Sequence, residues 1–600
     1  MTDSPRAPGT LGGNARRRPI LIALMVTMAL SAVDNTIVST ALPQVVHDLG
    51  GFTLFSWVFS GYLLAQTVSI PIYGKLADQW GRKPILIFGT VVFLTGSALS
   101  AASWDMVSLI CFRALQGVGA GAIMATVNTL AGDLYELKDR GRVQGWLASV
   151  WGISAVFGPT LGGSLAQYAS WRWIFLINLP LGAIAIAMIA RFLHEQVTRT
   201  RHRIDVAGTV AVLVAAGALV FGLLQGGVAW AWLSPQSIAV FAVAVVATVA
   251  ALAAERRAVE PILPPWLWRQ RAVAGSAVAA FGLGLLVIGP TTFLPTYGQL
   301  VLGLSAVAAG AVLATMSFGW PLATSQSAKL FLRLGFRDTA LIGAAICLVA
   351  VGAFLLFPPV SPVWQPVLDT FVLGGGFGLL SVCTVVGPQS TVGWNQRGVV
   401  TGSVMFCRYL GQSVGAAVFG AIFNTSLNAT LRGAPGDLKA HLPHTVSGVS
   451  ATIGQASRLG PAASYLRDGI SAATHHVYVG LVVASVFTIA AIMVIPRRMP
   501  SAGPDPAADA PESVGGSRLS VAGPHHVAAN AKWVMRAPAI MPTRLAAASN
   551  ATAGRSLIVT TCFRLSMILT EMIMSRQPAA DMQSATPSDS IPFRTLSCIY

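Results

Sequence analysis

Two ionisable side chains lie where the surrounding sequence offers them no water. Asp34 falls in the apolar run 19–42 and Arg113 in the run 107–129. A charge at the centre of a hydrocarbon layer costs at least about 2.5 to 3.5 kcal/mol, so each must face a protein interior and a partner. Asp34 stands ten residues inside Gln44 and Arg113 eight inside Asp105. At helical rise this sets both about 12 to 15 Å below the same surface. They are expected to pair, and a carboxylate held by a guanidinium in a closed interior can load or release a proton when the pair rearranges. Other polar or aromatic groups in apolar runs are candidates for lining a cavity that holds a small molecule: Trp57, Gln66, Asn128, Trp151, Gln389, Arg408 and Gln412. Arg408 suits either an anionic compound or Asp34. Asp369, the other acid inside a span, lies close to the span's outer end and is expected at the interface.

The elements that must carry these residues follow from composition. The chain is 54% hydrophobic and 10% charged over 600 residues, and it offers one run after another of about 20 apolar residues, enough for a helix to cross a bilayer. The runs are apolar all round rather than alternating, which excludes a β-barrel and leaves an all-α membrane protein. About fourteen spans are expected, the first at 19–42 and the last at 475–495. The net charge of +17 does not mark a nucleic-acid binder, because the basic residues are dispersed over every second connection. Arg16, Arg17 and Arg18, then Lys75, Arg82 and Lys83, then Lys138, Arg140 and Arg142 begin a series that continues to Arg497 and Arg498. By the positive-inside rule that side is cytoplasmic, with both termini on it, in a multi-pass protein of the plasma (inner) membrane. The first run continues past Ala32 to Leu42, too long for a cleaved signal, and is expected to stay. Cys111, Cys347, Cys383 and Cys407 fall in spans and no C-x-x-C pair occurs, so no disulfide framework, metal site or cofactor is expected. No H-E-x-x-H, phosphate loop or nucleophile elbow supports a catalytic residue.

An internal repeat organises the spans. Arg140, Gly141, Val143 and Gly145 return as Arg397, Gly398, Val400 and Gly402, and Lys75, Leu76, Gly81 and Lys83 return in kind as Lys329, Leu330, Gly335 and Arg337, at offsets of 257 and 254 residues. Near-equal offsets mean one duplication in the same membrane orientation. The expected organisation is a cytoplasmic segment 1–18, a six-helix half at 19–193, an inserted helix pair at 205–254, and a second six-helix half at 273–495 with an extracellular loop at 425–473. Residues 499–600, rich in Pro, Ala, Ser and Gly, are expected to form a disordered cytoplasmic tail.

Five motifs carry a family resemblance. Gly74, Lys75, Leu76, Ala77, Asp78, Gly81, Arg82, Lys83 and Pro84 form a short charged loop, whose glycines permit a tight turn and whose Asp78 can accept charge-assisted bonds or cap a helix. Arg113, Gln116, Gly117 and Gly121 share one face of the fourth span. Ser154, Gly158, Pro159, Gly162 and Gly163 end the fifth span, small residues that let a neighbouring helix approach. Asp34, Asn35, Thr36, Ala41, Leu42 and Pro43 close the first span, and Trp171, Arg172, Trp173, Asn178 and Pro180 open the sixth. Together these resemble the major facilitator superfamily, and within it the subgroup of fourteen-helix drug:proton antiporters, over residues 20–495.

The resemblance implies a major facilitator fold with two six-helix halves plus two inserted helices. It implies that the charged loop latches the two halves in the outward-facing state, and that the fifth-span motif belongs to exporters. In the second copy of the loop Leu332 replaces the acid, so only the first latch is expected to be charged. The implied function is proton-coupled export of small amphipathic compounds by a monomer, with the lipid bilayer, the compound and protons as partners. A nutrient importer or a non-transporting receptor would use the same architecture.

Overall fold

The computed structural model describes residues 14–50, 57–195, 206–226, 230–258, 264–357, 362–435 and 461–499, with four single positions between them. The expected tail and the first thirteen residues lie outside the described residues. Among these residues every regular element is helical: α1 Asn14–Leu49, α2 Trp57–Trp80, α3 Arg82–Ala101, α4 Met106–Leu134, α5 Leu137–Tyr168, α6 Trp173–Leu176, α7 Asn178–Phe192, α8 Val206–Gln225, α9 Pro235–Arg257, α10 Pro265–Arg269, α11 Arg271–Leu300, α12 Ala306–Leu334, α13 Phe336–Phe354, α14 Trp364–Gln389, α15 Arg397–Arg432 and α16 Pro461–Met493.

Local chemistry sets the ends. Asp105 caps α4 in a capping box with Ser108, whose amide donates to the carboxylate at 2.7 Å and holds that carboxyl below its usual range. Ser234 and Ser305 cap α9 and α12 in the same way. Gly81 joins α2 to α3 and Gly335 joins α12 to α13 as the sole linking residue, at φ 97° and 88°, a backbone region only glycine adopts without strain. These two glycines occupy equivalent places in the sequence repeat.

Among the described residues, eleven segments are long and apolar enough to cross a membrane: α1, α3, α4, α6 with α7, α9, α11, α12, α13, α14, α15 and α16. Each remaining expected span also falls on a helix. Polar residues interrupt α2 and α5, and α8 has a shorter apolar stretch, Ala207–Leu223. The side chains of Val243, Val245, Val246, Val249 and Leu252 on α9 stand exposed, which is what a helix solvated by lipid requires.

Packing repeats with the sequence. α1 lies on α5, α2 on α4 and α3 on α4; in the later group α11 lies on α15, α12 on α14 and α13 on α14. α8 and α9 pair with each other, and α8 also touches α2 and α15. The two groups meet along two seams, α2 on α15 and α5 on α12. One expectation needs correcting: residues 425–432 and 461–473 are not loop but extend α15 and α16, which stay paired through Tyr465 Oη to the Thr430 carbonyl at 2.9 Å and Ser426 Oγ to His476 Nδ1 at 2.9 Å. Hydropathy sees only the lipid-soluble part of a helix, whereas backbone hydrogen bonding continues into water.

Candidate functional site

Asp34 and Arg113 meet as their depths require. Both are fully buried, and Arg113 Nη1 donates to Asp34 Oδ2 at 2.5 Å. Helical spacing on α4 adds Gln116, which donates through Nε2 to Asp34 Oδ1 at 2.9 Å and accepts from Arg113 Nη1 at 2.8 Å. Asn178, in the first turn of α7, donates to Asp34 Oδ1 at 3.3 Å and to Ser97 Oγ at 3.0 Å. Beneath the guanidinium lies the Tyr62 ring, 4.1 Å from the Arg113 carbon, and the Tyr62 hydroxyl bonds Ser31 Oγ at 3.0 Å. Gly117 is what lets this happen, because a Cβ there would run into the Tyr62 carbonyl and push α4 off α2. Arg113 Nη2 and Asn178 Oδ1 find no protein partner among the described residues. Tyr62, Ser97 and the role of Asn178 had no pattern of their own in the sequence; only proximity reveals them.

The loop motif forms a second buried network at the end of the molecule where the basic loops lie. Asp78 accepts from the backbone amides of Gly398 and Val399 at 2.8 Å each, at the N-terminus of α15, and from Arg82 Nη2 at 2.8 Å. Arg82 also donates to Asp133 Oδ2 at 3.0 Å and to the Trp394 carbonyl at 2.6 Å, with its guanidinium stacked 3.5 Å from the Trp394 ring. Arg397 Nη1 reaches the other Asp133 oxygen at 3.0 Å. Gly74 and Gly398 face one another so closely that neither admits a Cβ. Lys83 donates Nζ to the Ala190 carbonyl at 2.9 Å, and the Arg82 and Lys83 amides at the start of α3 are capped by the Glu195 carboxylate at 2.9 and 2.8 Å. Asp133, Glu195 and Trp394 were missed, being remote from the motif in sequence. At the other seam Gly141, Gly145 and Gly152 face Ser327, Ser325 and Ser317, while Leu332 points outward, so no acid holds α12 to α5 there.

The small residues of α5 act on the helix that bears Asp34. Gly158 and Gly162 lie against Thr36, Ile37 and Thr40 of α1, and Thr36 Oγ1 donates to the Ser154 carbonyl at 3.0 Å. Pro159 is exposed and Gly163 faces open space.

The cavity candidates divide. Asn128 and Gln389 come together, Gln389 Nε2 donating to the Asn128 carbonyl at 3.2 Å and to Thr401 Oγ1 at 2.8 Å, which ties α4 to α14 and α15. Gln66 is fully buried with both amide atoms unpartnered among the described residues. Trp151 is half-buried against the α1–α4 core, and Gln412 is half-buried on α15. Trp57 stands apart from the others, its ring 5.3 Å from Phe221 of α8. Arg408 does not pair with Asp34, whose charge is already met by Arg113; its guanidinium lies 5.0 Å from the Trp320 ring. Asp369, expected at the interface, is buried with Oδ2 unpartnered among the described residues. The described residues hold no cluster of His, Cys, Asp and Glu able to bind a metal.

A family model described as Major Facilitator Superfamily matches residues 24–416. The chain is 33% identical over 416 residues to the "Multidrug transporter protein MdtP" of Bacillus subtilis (strain 168), covering 69% of this chain and 76% of that one. It is 34% identical over 437 residues to "Multidrug resistance protein 3" of the same organism, covering 71% and 84%. The crystal structure of the human organic anion transporter MFSD10 (TETRAN) shares the fold, with TM-score 0.53 at 15% identity over 80% of this chain and 99% of that one. With its repeated helix pairing, its buried α1–α4 ion pair and its charged α2–α3 junction, the chain belongs to the Major Facilitator Superfamily, and it is a membrane transporter rather than an enzyme.

Proposed function

We propose that this transporter exports small amphipathic compounds in exchange for protons, with Asp34 as the proton-carrying group. The observation that carries the reading is the setting of Asp34, a fully buried carboxylate whose three donors, Arg113, Gln116 and Asn178, come from two other helices. Protonating it removes the charge that those donors answer, so α1 is loosened from α4 and α7 together. Because α5 packs on α1 just beyond Asp34, through Gly158 and Gly162, the change is passed to the α5–α12 seam. The halves 19–193 and 273–495 then rock about the interior between them, carrying the inserted pair 205–254, in a monomer with fourteen crossings and with both termini and the tail 499–600 in the cytoplasm. A charge moving through 100 mV releases about 2.3 kcal/mol, enough to bias export several-fold or more before any pH difference is added. The names of the two Bacillus relatives, a multidrug transporter and a multidrug resistance protein, support export and a broad substrate range.

The test is dye flux in proteoliposomes of the full chain with an imposed pH difference. Wild type should move dye against its gradient, and Asp34→Asn should fall to the level of empty liposomes. Flux that survives collapse of the pH difference, or an Asn variant working at full rate, removes Asp34 from this role. Movement in the opposite sense makes the protein an importer.

A further inference from the structure

Among the described residues three buried acids have cationic partners, Asp369 has none, and Arg408 is a cation within a span that has no carboxylate partner. Asp34 is matched by Arg113, Asp78 by Arg82 and two α15 amides, and Asp133 by Arg82 and Arg397. Arg408, on α15, has no carboxylate within hydrogen-bonding distance among the described residues, and its Nε has no partner. Its neighbours Phe406, Cys407 and Tyr409 pack against a core that α1 to α5 and α7 share with α11, α14 and α15, so this stretch of α15 borders a core drawn from both helix groups.

The surroundings of Arg408 are built rather than incidental. Its side chain reaches toward α12, where the Trp320 ring is fixed by Nε1 donating to Ser381 Oγ at 3.1 Å and by an edge contact with Phe377 at 5.4 Å. The backbone that carries it is pinned, since a Cβ at Gly411 would strike the Phe281 carbonyl and one at Gly284 the Arg408 carbonyl. Gln412, one turn further along, is half-buried and offers a second donor. An aromatic face partly offsets the charge of this half-buried guanidinium but leaves its planar donor fork unused, and that fork matches a carboxylate in two parallel hydrogen bonds.

We infer that Arg408 anchors the acidic group of transported compounds, which are therefore amphipathic anions: a carboxylate on an apolar, preferably aromatic, frame lying along Trp320. This deepens the export reading and rests on it for the direction of movement, but the binding part can be measured without flux. Quenching of tryptophan fluorescence in the purified full-length protein would be titrated with fluorescein as the amphipathic anion and ethidium as the amphipathic cation. Wild type should prefer fluorescein. Arg408→Gln should weaken fluorescein at least about tenfold and strengthen ethidium a few-fold, while Arg408→Lys should retain most of the preference for the anion but bind it more weakly, because a point charge replaces the fork. A wild type that prefers ethidium overturns the inference whatever the variants do, and so does fluorescein binding that is equal in wild type and the Gln variant. If fluorescein is bound through Arg408 yet never crosses the liposome membrane, the anion site stands and the export reading falls. If ethidium alone crosses, export stands and the anion site falls.

Discussion

Asp34 sits at a junction of α1, α4 and α7, with Tyr62 of α2 and Ser97 of α3 in the next layer. Removing one partner of such a buried pair leaves the other uncompensated, which costs about 3 to 5 kcal/mol, whereas removing both costs far less. Arg113→Ala should therefore lower the thermal stability of the purified protein sharply, and Arg113→Ala combined with Asp34→Ala should recover much of the loss while remaining inactive in flux. If the double variant melts no higher than the Arg113 single variant, the pair is not what holds these helices. The pairing was legible in the sequence because two rare charges lay at matching depths. Asn178 and Tyr62 were not, since an amide or a phenol in a span is common and nothing in its neighbours says which way it faces.

At the level of the helix, one tie between the two helix groups is an acid at the start of another helix, beside the Arg397–Asp133 pair and the Arg82 bond to the Trp394 carbonyl. Asp78 satisfies two amides of α15 that would otherwise be orphaned at its first turn. Asp78→Asn keeps an acceptor but loses the charge, so the α2–α15 seam should open more often at its basic end. A cysteine introduced as Thr401→Cys, at a position now buried, should react with a soluble maleimide several-fold faster in that background; an unchanged rate would mean that the Asp78 charge is not what keeps the seam closed. The spans themselves could be read from hydropathy, and the glycine turns from the loop motif. The helical extensions of α15 and α16 could not be read, because they are polar and paired only in three dimensions. Asp133 and Glu195 were hidden for a related reason: each completes a network whose other members lie elsewhere in the chain.

For the whole molecule, the two seams are unlike. One is charged; the other, between α5 and α12, rests on glycines facing serines. A Cβ at Gly152 would stand 3.3 Å from that of Ser317 and 2.8 Å from the Ser317 carbonyl oxygen, so a small shift of α5 from α12 would bring the two to the separation a disulfide needs. Gly152→Cys with Ser317→Cys should cross-link under mild oxidation, stop dye flux, and recover when reduced. Continued flux in the oxidised protein would show that the halves need not part along this line. The repeat could be read from two pairs of loops at almost the same offset, and the helix pairing of the two groups repeats with it. It did not foretell that α8 would touch both α2 and α15, because an insertion has no counterpart to compare.

Gly81 and Gly335 leave no spare chain between the helices they join. Helices coupled by one residue cannot slide past each other; a push on α2 is delivered to α3 in full, and a push on α12 to α13. Each helix pair thus moves as a hinged lever whose pivot has no play, and lengthening either joint by even a few residues would turn a transmission into a slack cable.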